Sequence, residues 1–389
     1  MAFCATKMSE PLKSRLPNVG TTIFTVMSAL ATEHQAVNLG QGFPDFPCDP
    51  ALLDAVGRAM QAGHNQYPPM SGIAPLREAV ARKVSSLYGR DYDPASEITI
   101  TAGATQAILS ALLALVHPGD EVMILEPCYD SYVPGIELAG GKVVRVPLTP
   151  GTFRPDFSRI AAALTPRTRA LLINSPHNPS GTVWSDADMR ALETLLAPTN
   201  TFLISDEVYE HMVFDGRRHC SAASYPGLAE RALIVSSFGK TYHVTGWKVG
   251  YVAAPASLMR EFRKVHQFNV FTVNTPMQHG LAAYMDQPER YLELPAFYQR
   301  KRDLFRAGLA QTGLGLLPSE GSFFQCVQIG GVSRLSEAEF CRWLTIEVGV
   351  TAIPLSAFYV DGFDQGIVRF CFAKEEDTLN RALQRLQTI

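Results

Sequence analysis

Short apolar runs alternate with longer segments of helical period over most of the chain. Five of these runs are nearly continuous in valine, isoleucine and leucine, and they lie at 97–101, 121–126, 170–175, 201–206 and 232–237. Between them are helical patterns such as TQAILSALLALV and DADMRALETLLA. Strands buried on both faces have continuous apolar sequences, and their alternation with helices is typical of a mostly parallel sheet covered by helices. The pattern predicts an α/β fold.

The pattern changes near Pro288, where a long charged helical segment begins and is followed by GSFFQCVQI, AEFCRWLTIEV and IVRFCFA. Such a sequence is typical of a smaller α+β domain, and a chain of 389 residues is long enough for two domains. We therefore predict an N-terminal arm over 1–46, a large domain over 47–285 that contains the parallel sheet, and a small C-terminal domain over 286–389.

Composition argues against several classes of protein. A formal net charge of −3 gives no field that would attract nucleic acid or an anionic membrane. The most apolar run, 107–116, is about half the length of a membrane-spanning helix, and the first residues lack the apolar core of a signal peptide. The seven cysteines include no C-x-x-C pair, which disfavours a disulfide framework or a zinc site. We expect a cytoplasmic protein without a metal, membrane or nucleic-acid partner.

Each predicted strand is followed by a cluster of small, polar and aromatic residues. In chain order these clusters are AGATQ, PCYDSY, PHNPSGT, EVYE and FGK. Ligands of open α/β sheets bind outside the carboxyl ends of the strands, so the five clusters can converge on one site. Any strand end meets a polar loop, and one cluster alone would carry little weight. The complementary chemistry of all five indicates a binding site.

The segment SSFGKTYHVTGWKVGY contains two lysines, Lys240 and Lys248, and no acidic residue. A lysine attacks carbonyl carbons only when it is neutral, which requires desolvation or a neighbouring cation. Either lysine alone is more simply a structural or solvated residue. Together they indicate one lysine for covalent chemistry and a second cation that holds an anion with the hydroxyl of Ser237.

Asp206 ends a predicted buried strand, where a carboxylate is costly unless it is paired. One interpretation is a cap for the following helix; the other is an ion pair with a cationic heteroaromatic nitrogen. Tyr209, three residues later, would lie on the same side of a helical turn and near the same ligand.

The other clusters supply matching groups. Gly103, Ala104 and Thr105 begin a helix, and free backbone N–H groups at a helix start bind anions. Tyr129 can stack on a flat ligand, and Asn178 lies in a turn rich in proline and glycine, where simple turn chemistry is the alternative. A reactive lysine, an acid for a ring nitrogen, an aromatic platform and a phosphate site together meet the requirements of pyridoxal phosphate.

Nine segments in order resemble the class I and II aminotransferases of fold type I. They are NLGQGFPDF, NQYPPMSG, TAGATQA, EPCYDSY, NSPHNPSGT, SDEVYE, SSFGKTYHVTGWKVG, GSFF and IVRFCFA. The resemblance covers nearly the whole chain and is strongest to the branch of bacterial methionine aminotransferases and kynurenine/glutamine transaminases. It implies a pyridoxal-phosphate-dependent transferase with a large domain and a smaller α+β domain.

The resemblance implies roles at the cofactor ring. Lys240 would form the imine with pyridoxal phosphate and later move the substrate proton. Asp206 would keep the pyridine nitrogen protonated, and Tyr129 would stack on the ring. Tyr209 and Asn178 would hydrogen-bond the phenolic oxygen.

The resemblance also implies a phosphate site, a partner subunit and a carboxylate site. The phosphate would be held by Ala104, Thr105, Ser237 and Lys248. Tyr67 matches a residue that reaches the phosphate from the partner subunit, which implies a homodimer with shared active sites. Arg369 matches the arginine that binds the substrate α-carboxylate, with Gly42 and Asn178 beside it.

Some positions bear on the substrate. Ile23, Phe24 and Phe43 are predicted to form an apolar pocket suited to methionine or aromatic amino acids. Thr105 stands where kynurenine-preferring relatives often carry tyrosine, and Lys248 stands where many carry arginine. No arginine is evident for a distal carboxylate, which disfavours aspartate.

The leading hypothesis is a ping-pong aminotransferase that moves the amino group of methionine or a similar large apolar or aromatic amino acid to a 2-oxo acid. The alternatives are a kynurenine/glutamine transaminase and a pyridoxal-phosphate-dependent cysteine-conjugate C–S β-lyase. A non-catalytic effector-binding module is a further class, but the chain carries no basic helix-turn-helix extension.

Overall fold

A computed structural model describes residues 13–389, so residues 1–12 of the predicted arm lie outside the described part. The α-helices are α1 (Ile23–Glu33), α2 (Pro50–Gln61), α3 (Ala74–Tyr88), α4 (Gly103–Leu115), α5 (Tyr132–Leu138), α6 (Phe157–Ala163), α7 (Asp186–Leu196), α8 (Pro226–Ala229), α9 (Phe238–Thr241), α10 (Ala256–Asn269), α11 (Thr275–Met285), α12 (Glu289–Leu292), α13 (Leu294–Leu309), α14 (Glu337–Trp343) and α15 (Glu376–Leu386). The strands are β1 (Val37–Asn38), β2 (Ile98–Thr101), β3 (Glu121–Glu126), β4 (Lys142–Pro147), β5 (Thr168–Asn174), β6 (Phe202–Asp206), β7 (Ala232–Ser237), β8 (Gly250–Ala253), β9 (Gly315–Leu316), β10 (Phe324–Gln328), β11 (Val350–Thr351), β12 (Ile353–Pro354) and β13 (Ile367–Cys371).

A seven-stranded sheet with the order β2-β8-β7-β6-β5-β3-β4 confirms the predicted α/β architecture. The five predicted strands correspond to β2, β3, β5, β6 and β7. All neighbouring pairs are parallel except those made by β8, which runs antiparallel to both β2 and β7. Because β8 runs antiparallel to both of its neighbours, β2 points the same way as β7. The carboxyl ends of all five predicted strands therefore lie on the same side of the sheet.

Two strands of this sheet, β4 and β8, were not predicted. Strand β4 lies at the sheet edge, and most of its residues are half-buried or exposed, so its apolar run is interrupted by lysine, arginine and proline. Strand β8 has four residues and begins with glycine, which leaves only a short apolar signal. An edge position and a short length both weaken the pattern on which strand prediction depends.

The continuous apolar runs arise because the sheet is covered on both faces. Val122 and Ile124 pack on one face with residues of α4 and α10, whereas Met123 and Leu171 pack on the other face with residues of α3 and α7. Successive side chains of a strand point to opposite faces, so both sets must be apolar. Because helices cover both faces, polar ligands can be bound only where the strands end.

The C-terminal part contains a four-stranded antiparallel sheet with the order β12-β13-β10-β9. The segment IVRFCFA contains β13, whereas β11 and β12, which are separated by one residue, belong to different sheets. Strand β11 pairs with β1, so the segment after α1 is attached to the C-terminal part of the chain. The domain limits at residues 46 and 285 stay a prediction. No helix in residues 13–389 is both long and apolar enough to cross a membrane.

Candidate active site

A cavity of about 320 Å³ lies at the carboxyl edge of the seven-stranded sheet, between the sheet and the segments that carry Phe24, Phe324 and Arg369. It brings together thirteen of the fifteen residues predicted from sequence, which are Phe24, Gly42, Phe43, Ala104, Thr105, Tyr129, Asn178, Asp206, Tyr209, Ser237, Lys240, Lys248 and Arg369. The convergence of five strand-end clusters on one cavity is thereby confirmed.

One end of the cavity is built for an anion. Gly103, the first residue of α4, has a φ of +79°, and a Cβ there would lie 3.4 Å from both Cε and Nζ of Lys248. Lys248 itself adopts a left-handed conformation with a φ of 55°, which is costly for a residue with a side chain. This backbone places its ammonium group at the start of α4, and Ser237 lines the same cavity. Helix N–H groups, a hydroxyl and an ammonium group suit a phosphate.

The carboxylate of Asp206 marks another part of the cavity. Its side chain is buried, its Oδ2 accepts a hydrogen bond from the Tyr132 hydroxyl at 2.5 Å, and its Oδ1 accepts one from the backbone N–H of Val208 at 3.2 Å. Burial raises the pKa of Asp206 to about 6, although both hydrogen bonds oppose that shift. Within residues 13–389 no basic side chain forms a salt bridge with it. Such a carboxylate is suited to a cation that arrives with a ligand.

The raised pKa of Asp206 predicts a pH-dependent stability for the protein without ligand. The folded carboxyl group, with a pKa of about 6 against an ordinary value of 3.8, binds its proton more tightly than the unfolded chain does. Its protonated form therefore stabilises the fold, and that stability is lost as the pH rises through about 6. Asp206→Asn abolishes this titration, so the difference in free energy of unfolding between the two proteins should change by roughly 2 kcal/mol between pH 4 and 7. Urea unfolding at intervals of pH measures it; a constant difference would contradict the assignment.

Two residues that position this part of the site were missed in the sequence. Tyr132, at the start of α5, bonds Asp206 and lies edge-on to Tyr129 with ring centroids 5.9 Å apart. Asn174, at the end of β5, donates from Nδ2 to the carbonyl of Asp206 at 2.9 Å and accepts at Oδ1 from the backbone N–H of Asn178 at 2.8 Å. The signal for Tyr132 was its spacing of three residues from Tyr129 in PCYDSY.

Lys240 lines the same cavity as Asp206 and Lys248. Its Nζ donates to the carbonyl of Gly42 at 2.8 Å and lies 5.7 Å from the ring centroid of Tyr209. Burial lowers the pKa of Lys240 to about 8, and the positive charges of Arg369 and Lys248 contribute in the same direction. The predicted combination of desolvation and neighbouring cations is present, so a neutral amine is accessible near neutral pH.

Arg369, on β13, also lines the cavity. Its Nη1 donates to Oδ1 of Asn178 at 2.7 Å and its Nη2 donates to the carbonyl of Gly40 at 3.0 Å. Its guanidinium carbon lies 3.9 Å from the ring centroid of Phe324 and 4.9 Å from that of Phe358. The buried Nε has no hydrogen-bond partner in the described part of the chain. A guanidinium fixed in orientation by aromatic faces, with an unused donor, is suited to a carboxylate.

A family model for aminotransferases of class I and II matches residues 34–386. The chain belongs to this family. The methionine aminotransferase of Escherichia coli K12 is 52% identical over 378 residues, covering 97% of this chain and 98% of that protein. Human kynurenine--oxoglutarate transaminase 1 is 36% identical over 417 residues, covering 98% and 99%. A crystal structure of an Escherichia coli protein, reported with a methionine aminotransferase function, superposes with a TM-score of 0.96 at 52% identity and covers 98% of this chain and 100% of its own. The fold is fold type I.

Two predicted residues of this aminotransferase do not line the cavity of the single chain. Tyr67 is 81% exposed and packs edge-on against Phe271 at a ring-centroid distance of 5.3 Å. Ile23 and Phe24 both pack against the hydrophobic core, and of the two only Phe24 also lines the cavity.

Proposed function

We propose that this aminotransferase uses pyridoxal phosphate to move the amino group of methionine, or of a similar large apolar or aromatic amino acid, to a 2-oxo acid in a ping-pong reaction. The observation that carries the proposal is that a lysine of lowered pKa lines one cavity together with an anion site and with Asp206, whose carboxylate forms no salt bridge within residues 13–389. The identity of 52% to a methionine aminotransferase supports the choice of donor.

The residues of the cavity fit the cofactor at each of its polar groups. Asp206 would bind the protonated ring nitrogen, Tyr209 and the amide nitrogen of Asn178 the phenolic oxygen, and Tyr129 the ring face. The start of α4 at Ala104 and Thr105, with Ser237 and Lys248, would bind the phosphate. When bound, pyridoxal phosphate supplies a carbonyl carbon for an amine and a ring that withdraws electrons.

The protein contributes orientation, proton transfer and the exclusion of water. Arg369 binds the α-carboxylate of the substrate through its fork, which fixes the α-carbon near Lys240. Once substrate has released it, the amine of Lys240 takes a proton from the α-carbon and returns it during product formation, and a pKa of about 8 suits this exchange near neutral pH. The surrounding aromatic residues limit access of water.

The walls of the cavity favour an apolar side chain. Phe24, Phe43, Ile108 and Phe324 supply apolar surface. In the described part of the chain the basic residues that line the cavity are Lys240, Lys248 and Arg369, and each has a role that does not involve the substrate side chain. A second carboxylate on the substrate would therefore lack a partner, which disfavours aspartate and glutamate as donors.

A panel of amino donors tests the proposed function. Purified protein with pyridoxal phosphate is mixed with methionine, leucine, phenylalanine, kynurenine, glutamine, alanine and aspartate, and the rate of the first half-reaction is followed by the change in cofactor absorbance. Methionine should be among the fastest donors and aspartate among the slowest. Faster reaction with kynurenine or glutamine would favour the alternative transaminase. Pyruvate and ammonia formed from a cysteine conjugate without a 2-oxo acid would identify β-lyase activity.

We also propose a cytoplasmic homodimer with an arm over 1–46, a large domain over 47–285 and a small domain over 286–389. The exposed aromatic residues Tyr67, Phe268 and Phe271 support an apolar surface of the kind that subunit interfaces cover. The cysteines described by the structure are all free, which agrees with a reducing compartment.

Shared active sites predict complementation between two defective variants. Tyr67→Ala should weaken cofactor binding about tenfold, since it loses one phosphate contact, and Lys240→Ala should be inactive. In a mixed dimer, one site combines an intact Lys240 with an intact Tyr67 from the other subunit. Mixing equal amounts of the variants after dissociation should therefore restore affinity at half of the sites that keep Lys240, which is a quarter of all sites, measured by activity at limiting cofactor. Mixtures that behave as the simple average of the two variants would contradict a shared site.

A further inference from the structure

A short segment, residues 39–45, forms one rim of the cavity and carries Phe43. The Phe43 ring lines the cavity yet is 45% exposed, so it lies at the mouth rather than in the core. Here residues 39–45 are called the rim segment. No strand or helix includes residues 40–45, so contacts with other parts of the chain must fix the position of Phe43.

Three cationic side chains donate hydrogen bonds to three carbonyl groups of the rim segment. Arg369 donates to the carbonyl of Gly40 at 3.0 Å, and Lys240 donates to that of Gly42 at 2.8 Å. Lys374 donates from Nζ to the carbonyl of Phe43 at 2.8 Å. A hydrogen bond from a charged donor is among the stronger polar contacts in proteins.

The first two bonds involve groups that the reaction itself needs. Arg369 is used by the substrate carboxylate, and Lys240 is used for covalent chemistry and proton transfer. Lys374 does not line the cavity, so neither cofactor nor substrate competes for it. Of the three cations, Lys374 alone can hold the rim segment throughout the reaction.

Lys374 is itself firmly placed. It is 4% exposed, and its carbonyl accepts a hydrogen bond from Nζ of Lys301 at 2.7 Å. Its Nζ lies 5.1 Å from the ring centroid of Phe43, within the range of a cation–π contact. The next residue, Glu375, donates its backbone N–H to Oδ1 of Asp45 at 2.6 Å, which fixes the end of the rim segment as well.

We propose that Lys374 is a positioning residue that determines substrate specificity, because it holds Phe43 where its ring covers the side chain of a large apolar donor. The proposal rests on the proposed function. A donor with only a β-methyl group, such as alanine, is too short to reach the mouth of the cavity. The kcat/KM for alanine should therefore not depend on Lys374.

Lys374→Met tests this role, since it keeps the length of the side chain and removes the donor and the charge. For methionine, leucine and phenylalanine, kcat/KM should fall about tenfold relative to alanine. The loss should appear as a higher KM, with kcat changed less than about twofold. The contact with the Phe43 ring stabilises the bound substrate and the transition state equally, so its loss does not slow the chemical step. A merely structural defect would lower kcat/KM for alanine as well.

Companion variants sharpen the result. Lys374→Arg keeps a cationic donor and should retain the preference for large donors. Phe43→Ala, at an exposed side chain, should abolish that preference even if Lys374→Met does not fold, and an unchanged preference in Phe43→Ala overturns the proposal. Where both variants are folded, Lys374→Met should add nothing to Phe43→Ala. If the wild-type protein transfers no amino group from any donor, both the proposed function and this inference are wrong. If the wild type is active and Lys374→Met keeps its preference for large apolar donors over alanine, only the inference is wrong.

Discussion

Lys240→Ala is expected to abolish amino transfer, lowering kcat by about 10⁴-fold or more. Lys240 is an amine that lines the cavity together with Asp206 and Lys248, and burial lowers its pKa to about 8. Lys248 cannot replace it, because the ammonium group of Lys248 lies at the start of α4. Single-turnover measurements with methionine, together with the visible absorbance of the purified protein, provide the readout.

The matched control is Lys264→Ala. Lys264 also carries an ammonium group on the same chain, but its side chain is 65% exposed and pairs with Glu261 on the surface of α10. Exposed pairs of this kind contribute little to stability, so the control should keep wild-type activity and absorbance. Undiminished turnover in Lys240→Ala would overturn the mechanism proposed for this site.

Arg369→Ala is expected to lower kcat/KM by about 10²- to 10³-fold for every amino-acid donor. The α-carboxylate is common to all amino acids, so the factor should be similar for alanine and methionine and should arise mainly from KM. Arg369→Lys keeps the charge but loses the planar fork, and its activity should fall between those of wild type and Arg369→Ala.

Because Arg369 also bonds Asn178 and Gly40, its loss affects the fold as well as binding. Thermal unfolding of each variant, with and without cofactor, separates the two effects. A loss of activity confined to one class of donor would argue against a carboxylate site. It would instead indicate that Arg369 contacts the substrate side chain.

Much of the site followed from the sequence because parallel strands deliver their carboxyl ends to one edge. Asp206 and Ser237 each end a strand with a strong apolar signal, so locating the strands also located the residues. The absence of acids around Lys240 and Lys248 pointed to a ligand, and the structure places both on the same cavity. These inferences need only local sequence and one rule about sheets.

The residues that were missed depend on contacts between distant parts of the chain. Tyr132 is 74 residues from Asp206, and Lys374 is 331 residues from Phe43. The spacing of Tyr132 from Tyr129 was a local signal for Tyr132, but the sequence near Tyr132 or Lys374 does not indicate the distant partner of either residue. The substrate-pocket role of Ile23 stays a prediction, since this residue does not line the cavity of the single chain and the rotation of α1 about its axis is set by packing and not by composition. Strand β4 was missed because an edge strand has a weaker apolar pattern, and β8 was missed because it is short.

The carbonyl bonds of the rim segment have one more consequence, for the energetics of ligand binding. The carbonyls of Gly40 and Gly42 accept hydrogen bonds from Arg369 and Lys240, and these bonds replace hydrogen bonds to water. Ligand binding at these two groups is therefore an exchange of one polar contact for another, at donors that the fold has already oriented.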